Sequence, residues 1–392
     1  MMTESRIPAA LVLGDGHVYR GYAFGAVEPD SDIDPVYGEA VFTTGMTGYQ
    51  ETMTDPSYHR QIVVMTAPQI GNTGWNDEDN ESRDGRIWVA GLIVRDLSKR
   101  VSNWRAERTL EEEMRAQGIV GISGIDTRSV VRHLRNEGSA PAGLFVGEAS
   151  QSDVQDLVAK VNEQPTMAGA DLSAQVSTDA PYTIEAVGEK RFTVVAYDMG
   201  IKSATPNHLA QRGVETIVVP ANTPFEDIAQ YSPDGVFISN GPGDPATADE
   251  MVAITRKILQ EKLPLFGICF GNQILGRALG LDTYKLKFGH RGVNVPVKNH
   301  LTSKIDITSQ NHGFALAAPE GVGAGQTFDT EFGPAVITHT CLNDDVVEGV
   351  ALENGMAYSV QFHPESAAGP HDANPLFDQF IALMNEHSPN AK

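Results

Sequence analysis

Leu265-Phe266-Gly267-Ile268-Cys269-Phe270-Gly271-Asn272-Gln273 decides how the second half of this chain is read. Four apolar residues with no polar alternation predict a strand buried on both faces. The residues from Asn272 to Leu279 predict a helix. Between them, Gly267-x-Cys269-x-Gly271 has the form of a sharp strand-to-helix turn that presents a nucleophile. Glycines flank the turn where a side chain would collide. The helix that starts there would favour a thiolate by its dipole. The amide of Phe270 would point to where an oxyanion forms.

Outward from this turn the rhythm repeats. Phe192 to Tyr197, Thr216 to Val219 and Gly235 to Ser239 predict further strands. Lys202 to Arg212, closed by Gly213, and Asp249 to Glu261 predict helices. Strands alternating with helices imply βαβ units, a parallel sheet covered on both faces, and a site beyond the strand carboxyl ends. The fold class is therefore α/β.

A thiolate needs a base, and the base needs an orienting group. Tyr358-Ser359-Val360-Gln361-Phe362-His363-Pro364-Glu365 ends an apolar strand. Pro364 stops it, and in an extended chain Glu365 would lie on the same side as His363. The carboxylate could then bond one ring nitrogen and leave the other for the thiol. Cys269, His363 and Glu365 form the candidate triad. Ser239-Asn240-Gly241-Pro242-Gly243-Asp244-Pro245 follows a strand, and the Gly241 amide is the candidate second oxyanion donor. No G-K-[ST] follows it, so it is not read as a phosphate loop.

The first part of the chain reads differently, as short apolar runs broken by Gly and Pro. Ala10 to Leu13, Gln61 to Ala67 and Arg86 to Val94 predict strands. Asn76 to Gly85 predicts a solvated acidic loop. Asp126 predicts the cap of a helix from Thr127 to Asn136. Gln151 to Gln164 predicts another helix, and Pro165, Gly169, Pro181 and Gly188 then break the pattern. The expected division is 1–150 as an N-terminal domain, 151–190 as a linker and 191–392 as the domain that carries the site.

Composition sets outer bounds. At about 150 residues per domain, 392 residues suggest two or three. A formal charge of −22, with no dominant basic stretch, argues against nucleic acid and against anionic membranes. No run of 18 apolar residues occurs, and Met1 to Ala10 has no signal-peptide pattern. Two cysteines, Cys269 and Cys341, exclude a disulfide framework and fit a reducing compartment. Cytoplasm is the expected location.

These residues resemble known families. The loop at Gly241, the turn at Cys269 and the pair at His363, in this order, are similar to class I glutamine amidotransferases over about residues 192–385. Glu39-Ala40-Val41-Phe42, Met46-Thr47-Gly48-Tyr49-Gln50-Glu51, Thr54-Asp55-Pro56-Ser57-Tyr58, Ile70-Gly71-Asn72 and Gly124-Ile125-Asp126-Thr127-Arg128 resemble the N-terminal domain of the carbamoyl phosphate synthetase small-subunit family. Gln310-Asn311-His312-Gly313-Phe314 resembles that family's glutamine-binding loop.

The resemblance implies a C-terminal amidotransferase domain with a mostly parallel central sheet flanked by helices, preceded by a separate α/β domain. It implies that Cys269 attacks glutamine, that His363 moves protons and that Glu365 orients His363. Gly241 and Phe270 would face the oxyanion. Ser57, Gly243, Gln273, Asn311, Gly313 and Phe314 would hold the substrate. Ammonia would pass to a large synthetase subunit that makes carbamoyl phosphate from bicarbonate and ATP, for arginine and pyrimidine synthesis. ATP and its divalent metal would bind that partner, and this chain itself is expected to hold no cofactor. The assembly would be a heterodimer or a higher oligomer of heterodimers.

Relatives often carry Leu and His where this chain has Phe270 and Asn272, so no essential proton is expected at Asn272. Cys341 and His339 match no family role and are read as structural. His290 and His312 are read as packing or loop support. The rival readings are an amidotransferase serving another synthase, a stand-alone cysteine hydrolase, and an interaction subunit with a dead site.

Overall fold

The computed structural model describes residues 6–28 and 33–387. Met1 to Ser5, half of the stretch read for a signal, lie outside the described residues. The chain divides into two compact units, Met1–Met167 and Ala168–Lys392.

The first unit contains β1 (Pro8–Leu13), β2 (Val18–Gly25), β3 (Val36–Thr43), β4 (Gln61–Met65), β5 (Gln69–Ile70), β6 (Gly91–Ile93), β7 (Asp96–Leu97), β8 (Val120–Ser123) and β9 (Ala140–Val146). Seven of these close a barrel in the order β1-β2-β8-β6-β4-β3-β9, sealed by the antiparallel β1–β9 pair. Closure removes sheet edges. Four helices complete the unit: α1 (Tyr49–Thr54), α2 (Leu110–Ala116), α3 (Thr127–Glu137) and α4 (Val154–Asn162). Asp126 Oδ1 accepts the Ser129 N–H and caps α3 as expected, with Val130 and Leu134 buried.

Three readings change here. The run Arg86 to Val94 supplies only the short strand β6, with Val89 held in an isolated bridge to His59. The acidic stretch 76–85 is not merely solvated. Asn76, Glu81 and Ser82 are buried, and the Glu81 N–H donates to Thr54 Oγ1 at 2.9 Å. The expected linker 151–190 is ordered structure shared by both units. Asp153 caps α4, which buries Leu157 and Val161 in the first unit. The remainder joins the second unit through α5 (Ser173–Val176) and β10 (Tyr182–Ile184). Gly169 sits in a turn there, and turns occur inside packed domains as well as between them.

The second unit continues with β11 (Phe192–Asp198), α6 (Ala204–Ala210), β12 (Val214–Pro220), α7 (Phe225–Ile228), β13 (Gly235–Ile238), α8 (Asp249–Gln260), β14 (Leu265–Ile268) and α9 (Phe270–Ala278). Then come β15 (Thr283–Asn299), β16 (Ile305–Leu316), β17 (Thr327–Phe328), β18 (Ala335–Cys341), β19 (Val347–Leu352), β20 (Ala357–Val360) and α10 (Pro375–His387). The strands from β10 to β20 lie in one sheet of eleven, ordered β10-β12-β11-β13-β14-β20-β19-β16-β15-β18-β17. Its centre, β12-β11-β13-β14-β20, is parallel. Fully buried runs such as Leu265–Ile268 fit that position.

Beyond β20 the sheet continues antiparallel through β19, β16, β15 and β18. The long β15–β16 hairpin has register shifts between Lys285 and His290 and between Gly292 and Val295. Such bulges bend a strand and re-aim its side chains. The hairpin brings Asn311 opposite Arg291 and His312 opposite His290.

Candidate active site

Cys269 sits between β14 and α9 with φ 56° and ψ −99°. A side chain at positive φ is strained, and here tight backbone packing maintains it. The Cys269 N–H donates to Val360 O at 2.8 Å, and its carbonyl accepts from Asn272 and Gln273 at 3.1 and 3.2 Å. The Gly271 N–H donates to Ser239 O at 3.1 Å. Phe270 opens the helix, so its N–H has no helical acceptor before it.

The flanking glycines are sterically required. A Cβ on Gly267 would lie 2.7 Å from Gly271 O, and one on Gly271 would collide with Ile238 O. Gly241 is equally confined, because a Cβ there would collide with Met199 O. Gly243, at φ 99°, lies against Ala170 O. The Asp244 N–H donates to that same carbonyl at 2.9 Å, and Asp244 Oδ2 accepts from Gly169 at 2.8 Å. The loop after β13 therefore presses its backbone against residues that the sequence assigned to a linker.

His363 follows β20, and its Nδ1–H donates to Glu365 Oε1 at 2.6 Å. The pairing is as expected, but the backbone is not extended. The Ser366 N–H donates to His363 O at 3.3 Å, so Glu365 reaches the ring from a turn. Both residues are almost completely buried. Burial opposes charge on His363, but the Glu365 carboxylate and the Cys269 sulfur outweigh it and raise the imidazole pKa. Burial likewise opposes charge on Glu365, while His363 and Lys202 hold its pKa below the ordinary range. Each member of the pair therefore favours the charged form of the other. Nε2 makes no hydrogen bond of ordinary geometry, yet it feels the Cys269 sulfur electrostatically. Catalytic contacts commonly tighten only when substrate is bound.

The other predicted positions in this unit gather on the same side. The Cys269 thiol donates to Asn311 O at 3.6 Å. Gln273 Nε2 donates to Phe314 O at 2.9 Å and to Gln361 Oε1 at 3.2 Å. Gly313 lies between Asn311 and Phe314 on β16. Asn272 is fully buried, with its amide bonded to Gln361 Oε1 and to Ser359 Oγ at 3.1 and 2.9 Å. It holds α9 against β20. Ser57 belongs to the first unit, in a 3-10 turn at Pro56–Tyr58, with its N–H donating to Asp55 Oδ1 at 2.9 Å.

Sequence reasoning missed three participants. Lys202, nearly buried, places Nζ 3.8 Å from Glu365 Oε1. Ser309 O accepts the His363 N–H at 2.9 Å. Glu348, fully buried on β19, accepts from Gln310. A buried Lys beside a βα turn is a weak sequence signal, and the other two carry none.

A buried cysteine stands at a strained strand–helix turn of an α/β sheet, and the same sheet carries a buried histidine–carboxylate pair. Residues 195–383 match the family model described as glutamine amidotransferase class-I, and residues 11–144 match carbamoyl-phosphate synthase small chain, CPSase domain. The chain is 68% identical over 386 residues to the carbamoyl phosphate synthase small chain of Corynebacterium efficiens, covering 98% of this chain and 94% of that relative. It is 62% identical over 379 residues to the protein of that name in Mycobacterium tuberculosis, covering 96% and 98%. The chain belongs to the carbamoyl phosphate synthase small-chain family. It is an enzyme subunit with a class I amidotransferase domain. Among the described residues no helix is long and apolar enough to cross a membrane.

Proposed function

We propose that this chain hydrolyses L-glutamine through Cys269, His363 and Glu365 and passes the ammonia to a carbamoyl phosphate synthase large chain. The observation that carries the reading is the strained Cys269 at the head of α9, with the buried His363–Glu365 pair facing its sulfur.

His363 takes the thiol proton of Cys269, and the thiolate so formed adds to the carboxamide carbon of glutamine. The oxyanion takes the N–H groups of Phe270 and Gly241. Collapse breaks the C–N bond, and the imidazolium of His363 gives its Nε2 proton to the departing ammonia. A glutamyl thioester remains. His363, now neutral, takes a proton from water as the water adds to the thioester carbon. Collapse of that adduct releases glutamate and a thiolate, which takes the proton back from the imidazolium. Glu365 keeps Nδ1 protonated and Nε2 aimed at the reacting atoms. Gln273, Asn311, Gly313, Phe314 and Gly243 frame the substrate.

Ammonia that escaped to neutral water would become ammonium, which is no nucleophile. A coupled partner is therefore part of the reading. That partner would bind ATP and its divalent metal, and it would use bicarbonate to make carbamoyl phosphate for arginine and pyrimidine synthesis in the cytoplasm. Assembly would be as a heterodimer or its multiples. Glutamine hydrolysis measured with and without the large chain, ATP and bicarbonate tests this. Stimulation by all three supports it, and full-speed hydrolysis by the chain alone would point to a stand-alone hydrolase.

A further inference from the structure

Glu348 is fully buried on β19, the sheet neighbour of β16, which carries Asn311. Its Oε2 accepts from Gln310 Nε2 at 2.9 Å. Its Oε1 accepts from His290 Nδ1 at 3.2 Å, and His290 Nε2 donates to Asp344 Oδ2 at 2.8 Å. Carboxylates only accept, so both ring nitrogens of His290 carry protons. Burial opposes that charge, but Asp344 and Glu348 outweigh it. The donor atoms of His290, Cys341 and Glu348 lie within 4.8 Å of one another. The contacts of His290 with Asp344 and Glu348 tie this cluster into an ion-pair network.

The network borders Asn311 on both sides. Gln310 is held by Glu348. His312 meets the His290 ring edge-on at 4.9 Å and donates from Nδ1 to Phe314 O at 2.8 Å. Glu348 also reaches the other arm of the site, because its backbone carbonyl accepts the N–H of Gln361, two residues before His363, at 2.8 Å.

We propose that Glu348, seated on His290, is a positioning residue that holds Gln310–Phe314 in the shape that receives glutamine. It touches neither the thiol nor the substrate. It acts through Gln310, the near end of the segment whose Asn311 carbonyl faces Cys269. A buried carboxylate suits this task because a hydrogen bond to a charged group is stronger and better fixed than a neutral one. The inference rests on the glutaminase reading above.

The test uses the complex with the large chain and compares glutamine-driven with ammonia-driven synthesis. Glu348→Ala should raise the glutamine KM at least about fivefold, equivalent to about 1 kcal/mol of lost binding. Its kcat at saturating glutamine and its ammonia-driven rate should stay within about twofold. Glu348→Gln keeps an oxygen for Gln310 and should recover most of the KM. Gln310→Met removes the same bond from the other side and should raise KM likewise, which keeps the test alive if Glu348→Ala does not fold. An unchanged KM in either folded variant overturns the proposal, as does a parallel loss of ammonia-driven synthesis. A wild-type complex that cannot use glutamine would instead overturn the functional reading.

Discussion

The backbone N–H of His363 donates to the carbonyl of Ser309 at 2.9 Å. Two residues along the same strand, the Asn311 carbonyl accepts from the Cys269 thiol at 3.6 Å. One stretch of β16 therefore contacts both His363 and Cys269, which lie almost a hundred residues apart in sequence. Each side chain reaches its place by a different route: Cys269 by local strain, His363 by a turn, and their shared alignment by a third strand.

Cys269→Ser should abolish glutamine-dependent synthesis and leave ammonia-dependent synthesis intact. Loss of one member of such a triad commonly costs about 10³-fold or more. Parallel assays with glutamine and with ammonium salt check this. Efficient glutamine use by the variant would remove Cys269 from the mechanism.

The alkaline limit of glutamine hydrolysis should follow the charges around His363. Glu365 raises the imidazole pKa, and Lys202 lowers it. Glu365→Gln should therefore move the alkaline limb of kcat/KM to lower pH, and Lys202→Met should move it to higher pH. Two shifts in the same direction would contradict this electrostatic picture.

Gly271→Ala should damage both fold and function. The new methyl would meet Ile238 O, a backbone atom with little room to retreat. Overpacking of this kind costs about 1–3 kcal/mol. A lowered Tm together with lost glutaminase activity is expected, whereas Gly323→Ala, whose Cβ would make only ordinary contacts with Gln326, should change neither.

His290 should make stability fall in mild alkali. Burial disfavours its charge, yet Asp344 and Glu348 raise its pKa to about 9 in the folded state, above the ordinary value of 6.5. A raised folded pKa gives stability that is full below about pH 6.5 and is lost as pH rises through about 9. Thermal unfolding from pH 6 to 10 should show a steeper loss for wild type than for His290→Gln. Equal slopes would separate His290 from that loss.

Much of the site was legible in the chain because the decisive features are local. Gly267, Cys269 and Gly271 state their own steric requirement within five residues. His363 and Glu365 are two apart, so their pairing survived even though an extended backbone was expected and a turn was found. The parallel core was legible because long apolar runs and helix caps alternate. The antiparallel arm was not, because β15 mixes exposed Lys285 and Lys287 with buried Arg291 and Val297, and its bulges break the period of two. The barrel escaped notice for a related reason, since closure depends on the distant pair β1–β9.

Sequence alone singled out Cys269, His363, Glu365 and the glycine turns, since each is marked by the conformations its neighbours allow. Tertiary structure alone decided which strand stands behind them. Lys202 meets Glu365, Ser309 meets His363 and Glu348 meets Gln310 across long separations in the chain. Their roles come from burial, which strengthens a charge or a hydrogen bond only after the fold has excluded water around it.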